Sequence, residues 1–155
     1  MNNSVSINWR WLRFDELNVT QLYQLLKLRQ DVFILEQDCL YPDMDDLDQN
    51  CIHLLGYKGE KLTAYLRFIP PEFHYSNNIA FGRIISLAAN RGEGVGLLIM
   101  QQAMDYASQH YPKQKIQLGA QCYLQDFYEK FNFKTIGEPY DEDGIMHIDM
   151  LFDPE

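Results

Sequence analysis

The sequence predicts an α/β (α+β) fold in which strands and helices follow the order β-α-α-β-β-β-α-β-α-β-β. Three observations carry this prediction: short alternating apolar runs, segments whose apolar residues have helical spacing, and a glycine-rich turn that joins a strand to a helix. Residues 79–120 form one parallel strand-helix-strand crossover. The ligand crevice of such a unit lies at the carboxyl ends of its strands.

The N-terminal part of the chain predicts a strand followed by a helix. Residues 7–14 alternate large apolar and polar side chains, which places Trp9 and Trp11 on one face of a strand. Asn18 is a helix N-cap, and Gln21, three residues later, is its capping-box partner. The apolar residues that follow have the spacing of a helix that breaks and then resumes.

The central part of the chain predicts an acidic loop, a hairpin and a further strand. The loop at residues 38–50 has aspartates at a spacing that superficially resembles a calcium loop. Other residues stand where an EF-hand requires Gly and Glu, so we expect a solvated acidic loop. Strands are predicted at 51–57 and 62–69 around a turn at 58–60, and a third strand at 79–87 leads into the glycine-rich turn.

The C-terminal part completes the predicted sheet. Its elements are an amphipathic helix at 93–110, a strand at 116–120, a short helix at 123–131 and strands at 133–136 and 145–151. Pro112 ends the long helix, and Asp143-Gly144 is a strong signal for a hairpin between the last two strands. Since no linker, repeat or low-complexity segment divides the chain, we expect a single domain over residues 1–155.

Composition and charge exclude several classes of function. The formal net charge of −9 argues against nucleic-acid or anionic-membrane binding, because both need a basic patch. No apolar run approaches the roughly 18 residues of a membrane span, and the polar residues 1–6 lack the features of a signal peptide. The three cysteines include no C-x-x-C pair, so we expect no disulfide framework, no metal site and a cytoplasmic location.

Residues 91–96 read Arg-Gly-Glu-Gly-Val-Gly and lie at the junction between a predicted strand and the long helix. Glycines let a ligand approach the backbone closely. The unpaired N–H groups of the first helical turn and the helix dipole favour an anion there. Arg91 adds a charge whose fork fits phosphate. We interpret the segment as a pyrophosphate cradle; the alternative is that its glycines only permit a tight turn.

The spacing of the glycines narrows the choice of phosphate ligand. No Lys-Ser or Lys-Thr follows them, as a Walker A loop requires, and G-x-G-x-G differs from the dinucleotide fingerprint. The remaining pattern is R-x-x-G-x-G at Arg91, Gly94 and Gly96, which resembles the acetyl-coenzyme A signature of the GNAT acyltransferase superfamily. With the element order, the resemblance covers essentially the whole chain. It implies a single mixed, mostly antiparallel twisted sheet with one parallel crossover and helices on both faces.

Further segments strengthen this resemblance. Residues 124–133 resemble the superfamily's A-x-x-F-Y-x-x-x-G-F helix, in which a tyrosine approaches the coenzyme sulfur; here it is Tyr128. Residues 29–37 and 140–148 resemble the narrower ElaA-like branch. The glycine of the helix motif is Asn132 here, and the turn can survive because Asn tolerates a left-handed backbone.

The resemblance implies an activity. A GNAT member transfers an acetyl group from acetyl-coenzyme A to a primary amine by direct attack in a ternary complex. The acceptor would be a small-molecule or protein amine, and exposed sheet edges suggest a homodimer. Residues 81–87 lack the acidic residue of many family members, so the usual general base cannot be transferred. This absence motivates the alternative of a non-catalytic acyl-coenzyme A or nucleotide binding module.

The resemblance also implies roles for individual residues. The candidate coenzyme contacts are Ile84, Ile85, Ser86, Arg91, Gly92, Glu93, Gly94, Val95, Gly96, Gln121 and Tyr128. Tyr128 is also the candidate general acid, since a phenol can protonate a leaving thiolate. The alternative for Tyr128 is a core aromatic residue whose hydroxyl is satisfied by backbone.

An ammonium acceptor must lose a proton before it attacks, which requires a general base. The candidates are Glu36, His53, Glu142 and His147, acting directly or through water. We assign the catalytic role to Glu36 and His147. Glu36 lies in an apolar stretch, where burial would raise the proton affinity of its carboxylate; the alternatives are an ion pair with Arg29 or a solvated helix end. Cys122 has no identifiable base partner for covalent catalysis.

Overall fold

The structure, a computed structural model, describes residues 6–87 and 94–155. The strands are β1 (Asn8–Arg13), β2 (Ile52–Lys58), β3 (Lys61–Ile69), β4 (Ile79–Ser86), β5 (Ile116–Gln121), β6 (Lys134–Glu142) and β7 (Ile145–Phe152). The helices are α1 (Val19–Arg29), which continues as a π-helical segment (Gln30–Glu36), α2 (Val95–His110) and α3 (Gln125–Glu129). The predicted cradle residues Arg91, Gly92 and Glu93 lie outside the described residues.

In the described part of the chain, the strands form one seven-stranded sheet in the order β1-β2-β3-β4-β5-β7-β6. Neighbouring strands are antiparallel except β4 and β5, which are parallel and joined through α2. The predictions of a mixed, mostly antiparallel sheet and of one parallel crossover are therefore confirmed.

The two parallel strands pair over a very short length. Ile79 pairs with Ile116 and Ala80 pairs with Gln117. Within the described ranges, β4 continues to Ser86 and β5 to Gln121 without any further pairing between them. The strands separate toward their carboxyl ends, so an opening forms in the middle of the sheet.

Helices cover both faces of the sheet, as expected. Consecutive strand residues point to opposite faces: Leu54 of β2 packs in the cluster that contains Ile99 of α2, and Leu55 packs in the cluster that contains Leu25 of α1. All four side chains are fully buried. No helix in the two described ranges is long and apolar enough to cross a membrane.

Several local predictions are confirmed at the level of hydrogen bonds and backbone angles. The backbone N–H of Gln21 donates to Asn18 Oδ1 at 2.7 Å, and that of Asn18 donates to Gln21 Oε1 at 3.0 Å. Asn132 has the left-handed φ of 67° expected where it replaces a glycine. Asp143 and Gly144 have φ of 53° and 85°, as a tight hairpin turn requires.

The prediction of a solvated acidic loop is wrong for three of its four clustered aspartates. Asp46 is exposed, whereas Asp43 and Asp45 are half-buried and Asp48 is buried. Arginines from α1, β3 and β4 meet the loop and form ion pairs with these three carboxylates. Sequence patterns within the loop do not reveal partners that lie in distant elements.

The prediction for β6 is too short. Its sequence pattern ends at Ile136 because Gly137 and Pro139 are typical turn residues. In the structure the strand runs from Lys134 to Glu142, and its register with β7 shifts between Ile136 and Tyr140. An edge strand tolerates Gly and Pro at such an irregularity. The strand β6 therefore continues past these residues and reaches the opening beside β5.

Candidate active site

The separation of β4 and β5 creates a cleft of about 1110 Å³. Its walls come from β4, β5, the start of α2, α3, the β6–β7 hairpin and the π-helical segment. The predicted site residues that line it are Glu36, Ile84, Ile85, Ser86, Gly94, Val95, Gly96, Gln121, Tyr128, Glu142 and His147. Residues distant in the sequence thus meet in one place.

The N-terminus of α2 forms one end of this cleft. Gly94 is its N-cap, with a left-handed φ of 77°. The first helical residues, Val95, Gly96 and Leu97, line the cleft. Backbone N–H groups in a first helical turn have no carbonyl partner within the helix, and the helix dipole adds partial positive charge. This end of the cleft therefore suits an anion such as phosphate.

A β-bulge in β4 forms the adjoining wall. The register between β3 and β4 shifts between Tyr65 and Arg67, and Arg83 on β4 has a left-handed φ of 52°. Beyond the bulge, Ile84 and Ser86 line the cleft. Because β5 has separated from β4 here, this strand edge can form main-chain hydrogen bonds with an extended ligand.

Behind the bulge lies a group of ion pairs that we call the Arg–Asp network. Its members are Arg29, Arg67, Arg83, Asp43, Asp45 and Asp48. The fully buried Arg29 donates from Nε to Asp43 Oδ2 at 2.8 Å and from Nη1 to Asp48 Oδ1 at 2.7 Å. Arg83 donates from Nε to the other Asp43 oxygen at 2.8 Å. Asp43 thus joins α1 to β4.

Arg67 on β3 ties the rest of the acidic loop to the sheet. Its Nη1 and Nη2 donate to the two carboxylate oxygens of Asp45, both at 2.8 Å, a bidentate pair. Burial opposes the charge on Asp45, but the hydrogen bond and charge of Arg67 outweigh it and lower the pKa of Asp45 to about 2. Arg67, Arg83 and Asp45 also line the cleft, and sequence reasoning missed all three.

Tyr128 lies on the wall formed by α3. Its side chain is buried, with rings of Phe127 and Phe133 edge-on to its own. Burial, with a smaller effect of Tyr123, raises the pKa of Tyr128 to about 12. The phenol therefore stays protonated at neutral pH. Its hydroxyl forms no hydrogen bond with any residue the structure describes, so it remains available to a ligand.

His147 of β7 lies on the opposite side of β5 from β4. Its Nδ1 is 2.8 Å from the Ile145 carbonyl oxygen. A carbonyl can only accept, so Nδ1 carries the proton and Nε2 of the neutral ring has a free lone pair. Nε2 lies 3.5 Å from Glu142 Oε2. The ring can take up a proton at Nε2, next to a carboxylate that would stabilise the resulting charge.

Two further side chains on this side were not predicted. The Tyr140 hydroxyl donates to Asp149 Oδ1 at 2.6 Å, and the Tyr140 ring stacks on that of His147. A Cβ at Gly119 would lie 2.9 Å from the Tyr140 oxygen, so the glycine makes room for this pair. The pair forms part of the cleft wall beside His147.

The structure separates the remaining candidates. Glu36 lines the cleft but is exposed, so the burial invoked for its role as a base is absent. His53 is fully buried, and its ring nitrogens lie 2.6 Å from Tyr65 Oη and 2.9 Å from the Asp48 carbonyl oxygen. It does not reach the cleft and cannot take a proton from an acceptor. Cys122 is partly buried and is not among the lining residues.

Parallel strands that separate beside a helix N-terminus, with a protonated phenol in the opening, are the arrangement that the resemblance to acyltransferases leads us to expect. Residues 33–153 match the family model described as an acetyltransferase (GNAT) domain. The chain belongs to the GNAT acetyltransferase family and is an N-acyltransferase. Membership of this family favours an enzyme over a non-catalytic binding module.

Relatives and solved structures agree with this assignment over nearly the full length. Protein ElaA of Escherichia coli is 42% identical over 146 residues, covering 93% of this chain and 95% of ElaA. The ElaA crystal structure has a TM-score of 0.89, with 94% of this chain and 99% of that chain covered. An acyl-CoA N-acyltransferase from Pseudomonas aeruginosa has a TM-score of 0.90 and 36% identity, with the same coverage. A UPF0039 protein of Synechocystis is 40% identical over 149 residues, 96% of each chain.

Proposed function

We propose that the protein transfers an acetyl group from acetyl-coenzyme A to a primary amine by direct attack in a ternary complex. The observation that carries the proposal is the shared cleft, which is lined by the N-terminus of α2 and residues 84–86 of β4 on one side and by Glu142 and His147 on the other. Family membership gives acyl transfer from acyl-coenzyme A. The acetyl group, the amine and the residue roles are our proposal.

The donor occupies the side of the cleft formed by β4 and α2. The pyrophosphate binds the N–H groups at 94–97, and Arg91, Gly92 and Glu93 complete this cradle. The pantetheine arm runs along the β4 edge at 84–86, where it exchanges main-chain hydrogen bonds. Gln121 contacts the arm from β5, and the thioester lies beside the Tyr128 hydroxyl.

The acceptor enters from the side formed by β6 and β7. Its ammonium group gives a proton to Nε2 of His147, directly or through water, and Glu142 stabilises the imidazolium. The nitrogen lone pair then attacks the thioester carbonyl, the C–S bond breaks, and the thiolate takes the proton of Tyr128. The nitrogen gives up its second surplus proton, directly or through water, to the resulting Tyr128 phenolate, and the proton on His147 passes to solvent. The products are an amide and free coenzyme A. The carboxylates of Glu36, Glu142 and Asp149 line this cleft and favour a cationic acceptor.

Thermal unfolding with acetyl-coenzyme A, desulfo-coenzyme A and ATP tests the donor. We expect both coenzymes to stabilise the protein increasingly with concentration, by about 2.7 kcal/mol at one hundred times Kd. ATP should stabilise it much less. No shift at millimolar acetyl-coenzyme A would overturn the proposal.

The acceptor is then sought by measuring thiol release with small amines, amino sugars, amino acids and peptide amines. A responding amine also identifies the base. We expect His147→Gln to lose about 10²–10⁴-fold in kcat and to keep its coenzyme stabilisation, with a smaller loss in Glu36→Gln. A larger loss of kcat in Glu36→Gln than in His147→Gln would assign the role of base to Glu36. Coenzyme binding without thiol release across the panel of amines would contradict the proposed transfer.

A further inference from the structure

The bulge of β4 places an arginine in a backbone conformation that L side chains rarely adopt. Arg83 has a φ of 52°, in the left-handed region. Non-glycine residues persist there only where the surrounding structure holds them, and such positions cluster at ligand sites. Something must therefore hold the backbone at Arg83.

The side chain of Arg83 is held at several points. Its Nε donates to Asp43 Oδ1 at 2.8 Å, and its Nη2 donates to the Asp43 carbonyl oxygen at 3.1 Å and to Asp45 Oδ2 at 3.4 Å. The ring of Tyr41 lies 5.5 Å from the guanidinium carbon. These contacts fix the direction in which the residue leaves the strand.

The carboxylate of Asp43, which accepts the hydrogen bond from Arg83 Nε, is itself held in the protein interior. Arg29 donates from Nε to Asp43 Oδ2 at 2.8 Å and from Nη2 to the Asp43 carbonyl oxygen at 3.0 Å. Arg29 is fully buried and is held from its other side by Asp48. Asp43 does not line the cleft, so its contact with Arg83 is a link between the core and the bulge.

A bulge bends its strand and increases the local twist. Here it lies where β4 no longer pairs with β5, and the residues just beyond it, 84–86, line the cleft. We propose that Arg83 and Asp43 are positioning residues for the coenzyme: their ion pair holds the bulge that aligns the 84–86 edge with the coenzyme arm. This inference rests on the proposed function, because it assumes that the arm binds there.

Replacement of Asp43 by Asn tests the link at a residue outside the cleft. The control is Asp46→Asn, which removes the same charge from the same loop. Asp46 is exposed and has a φ of 64°, which Asn tolerates. By calorimetric titration with acetyl-coenzyme A, we expect Asp43→Asn to raise Kd at least tenfold and Asp46→Asn to change it less than twofold. Equal affinity of Asp43→Asn and the unmodified protein overturns the inference.

A second pair of variants tests the inference even if Asp43→Asn does not fold. Arg83→Gly and Arg83→Ala both lose the guanidinium, so any direct contact with ligand is lost equally. Glycine still adopts a positive φ without strain, whereas alanine does not. We expect Arg83→Ala to bind acetyl-coenzyme A at least threefold more weakly than Arg83→Gly, at a temperature where both are folded. Equal affinities would contradict a role for the backbone at this position.

The outcomes for the two proposals are distinct. If the unmodified protein binds no acetyl-coenzyme A, the proposed function fails. If it binds and the variants at Asp43 and Arg83 show no such differences, the donor assignment stands and the positioning role fails.

Discussion

At the scale of single residues, Tyr128 shows how burial decides what a side chain can do. An exposed phenol exchanges hydrogen bonds with water, whereas Tyr128 is only 6% exposed and its pKa is raised to about 12. It therefore keeps its proton across the neutral range. The hydroxyl is therefore in the protonated state that a donor to a leaving thiolate requires.

Tyr128→Phe removes the hydroxyl and retains the ring that packs in the core. We expect kcat for acetyl transfer to fall about 10²–10⁴-fold, the usual contribution of a general acid, with less than a twofold change in coenzyme Kd. The control is Tyr123→Phe, because Tyr123 also lines the cleft but is 76% exposed. An unchanged kcat in Tyr128→Phe would remove this hydroxyl from the mechanism.

The sequence predicts those site residues that belong to local motifs. Tyr128 is part of a helix motif and Gly94 of a strand–turn–helix junction, so each carries its own signal, and both line the cleft. Arg83 and its partner Asp43 are separated by 40 positions. No short pattern connects them, and an aspartate-rich loop looks solvated until its arginine partners are known.

At the scale of elements, the start of α2 depends on one backbone conformation. Gly94 combines a φ of 77° with a carbonyl that accepts from the N–H of Leu98 at 3.2 Å. The helix thus begins directly after a residue in the left-handed conformation. The residues of the first helical turn, 95–97, line the cleft.

Gly94→Ala should lower the free energy of unfolding by about 1–2 kcal/mol, the cost of an L residue in the left-handed region. An added Cβ would meet nothing within 4 Å, so the loss would come from the backbone alone. Gly96→Ala is the control, since its Cβ would make an ordinary contact of 3.5 Å with Phe127 and alanine favours a helix. Denaturant unfolding measures both, and similar losses in the two variants would contradict this account.

At the scale of the whole molecule, the Arg–Asp network makes stability depend on acidity. Burial would raise the pKa of Asp48, yet hydrogen bonds and charge from Arg29 and Arg67 lower it. Asp45 has a pKa of about 2 against an ordinary value of 3.8. Folding therefore favours the ionised carboxylates, and the resulting stability is present above about pH 4 and is lost as the pH falls toward 2.

Asp45→Asn should make the free energy of unfolding depend less on pH in this acidic range. The shift of Asp45 corresponds to about 2 kcal/mol, and its side chain is only 27% exposed. Urea unfolding between pH 2 and 6 should show a smaller loss of unfolding free energy on acidification in Asp45→Asn than in the unmodified protein. Asp46→Asn serves as the control and should retain the full slope. Parallel profiles for Asp45→Asn and the unmodified protein would contradict the ionic role of Asp45.

The brief pairing of β4 with β5 divides the sheet into two leaves, one formed by β1 to β4 and the other by β5 to β7. Elsewhere neighbouring strands are joined along most of their length by main-chain hydrogen bonds, but across this seam the protein supplies two residue pairs. A pantetheine arm bound to the β4 edge and contacted from β5 would supply hydrogen bonds between the two strands where they do not pair with each other. On this view the substrate completes the sheet that binds it, and release of the free coenzyme after each turnover reopens the seam.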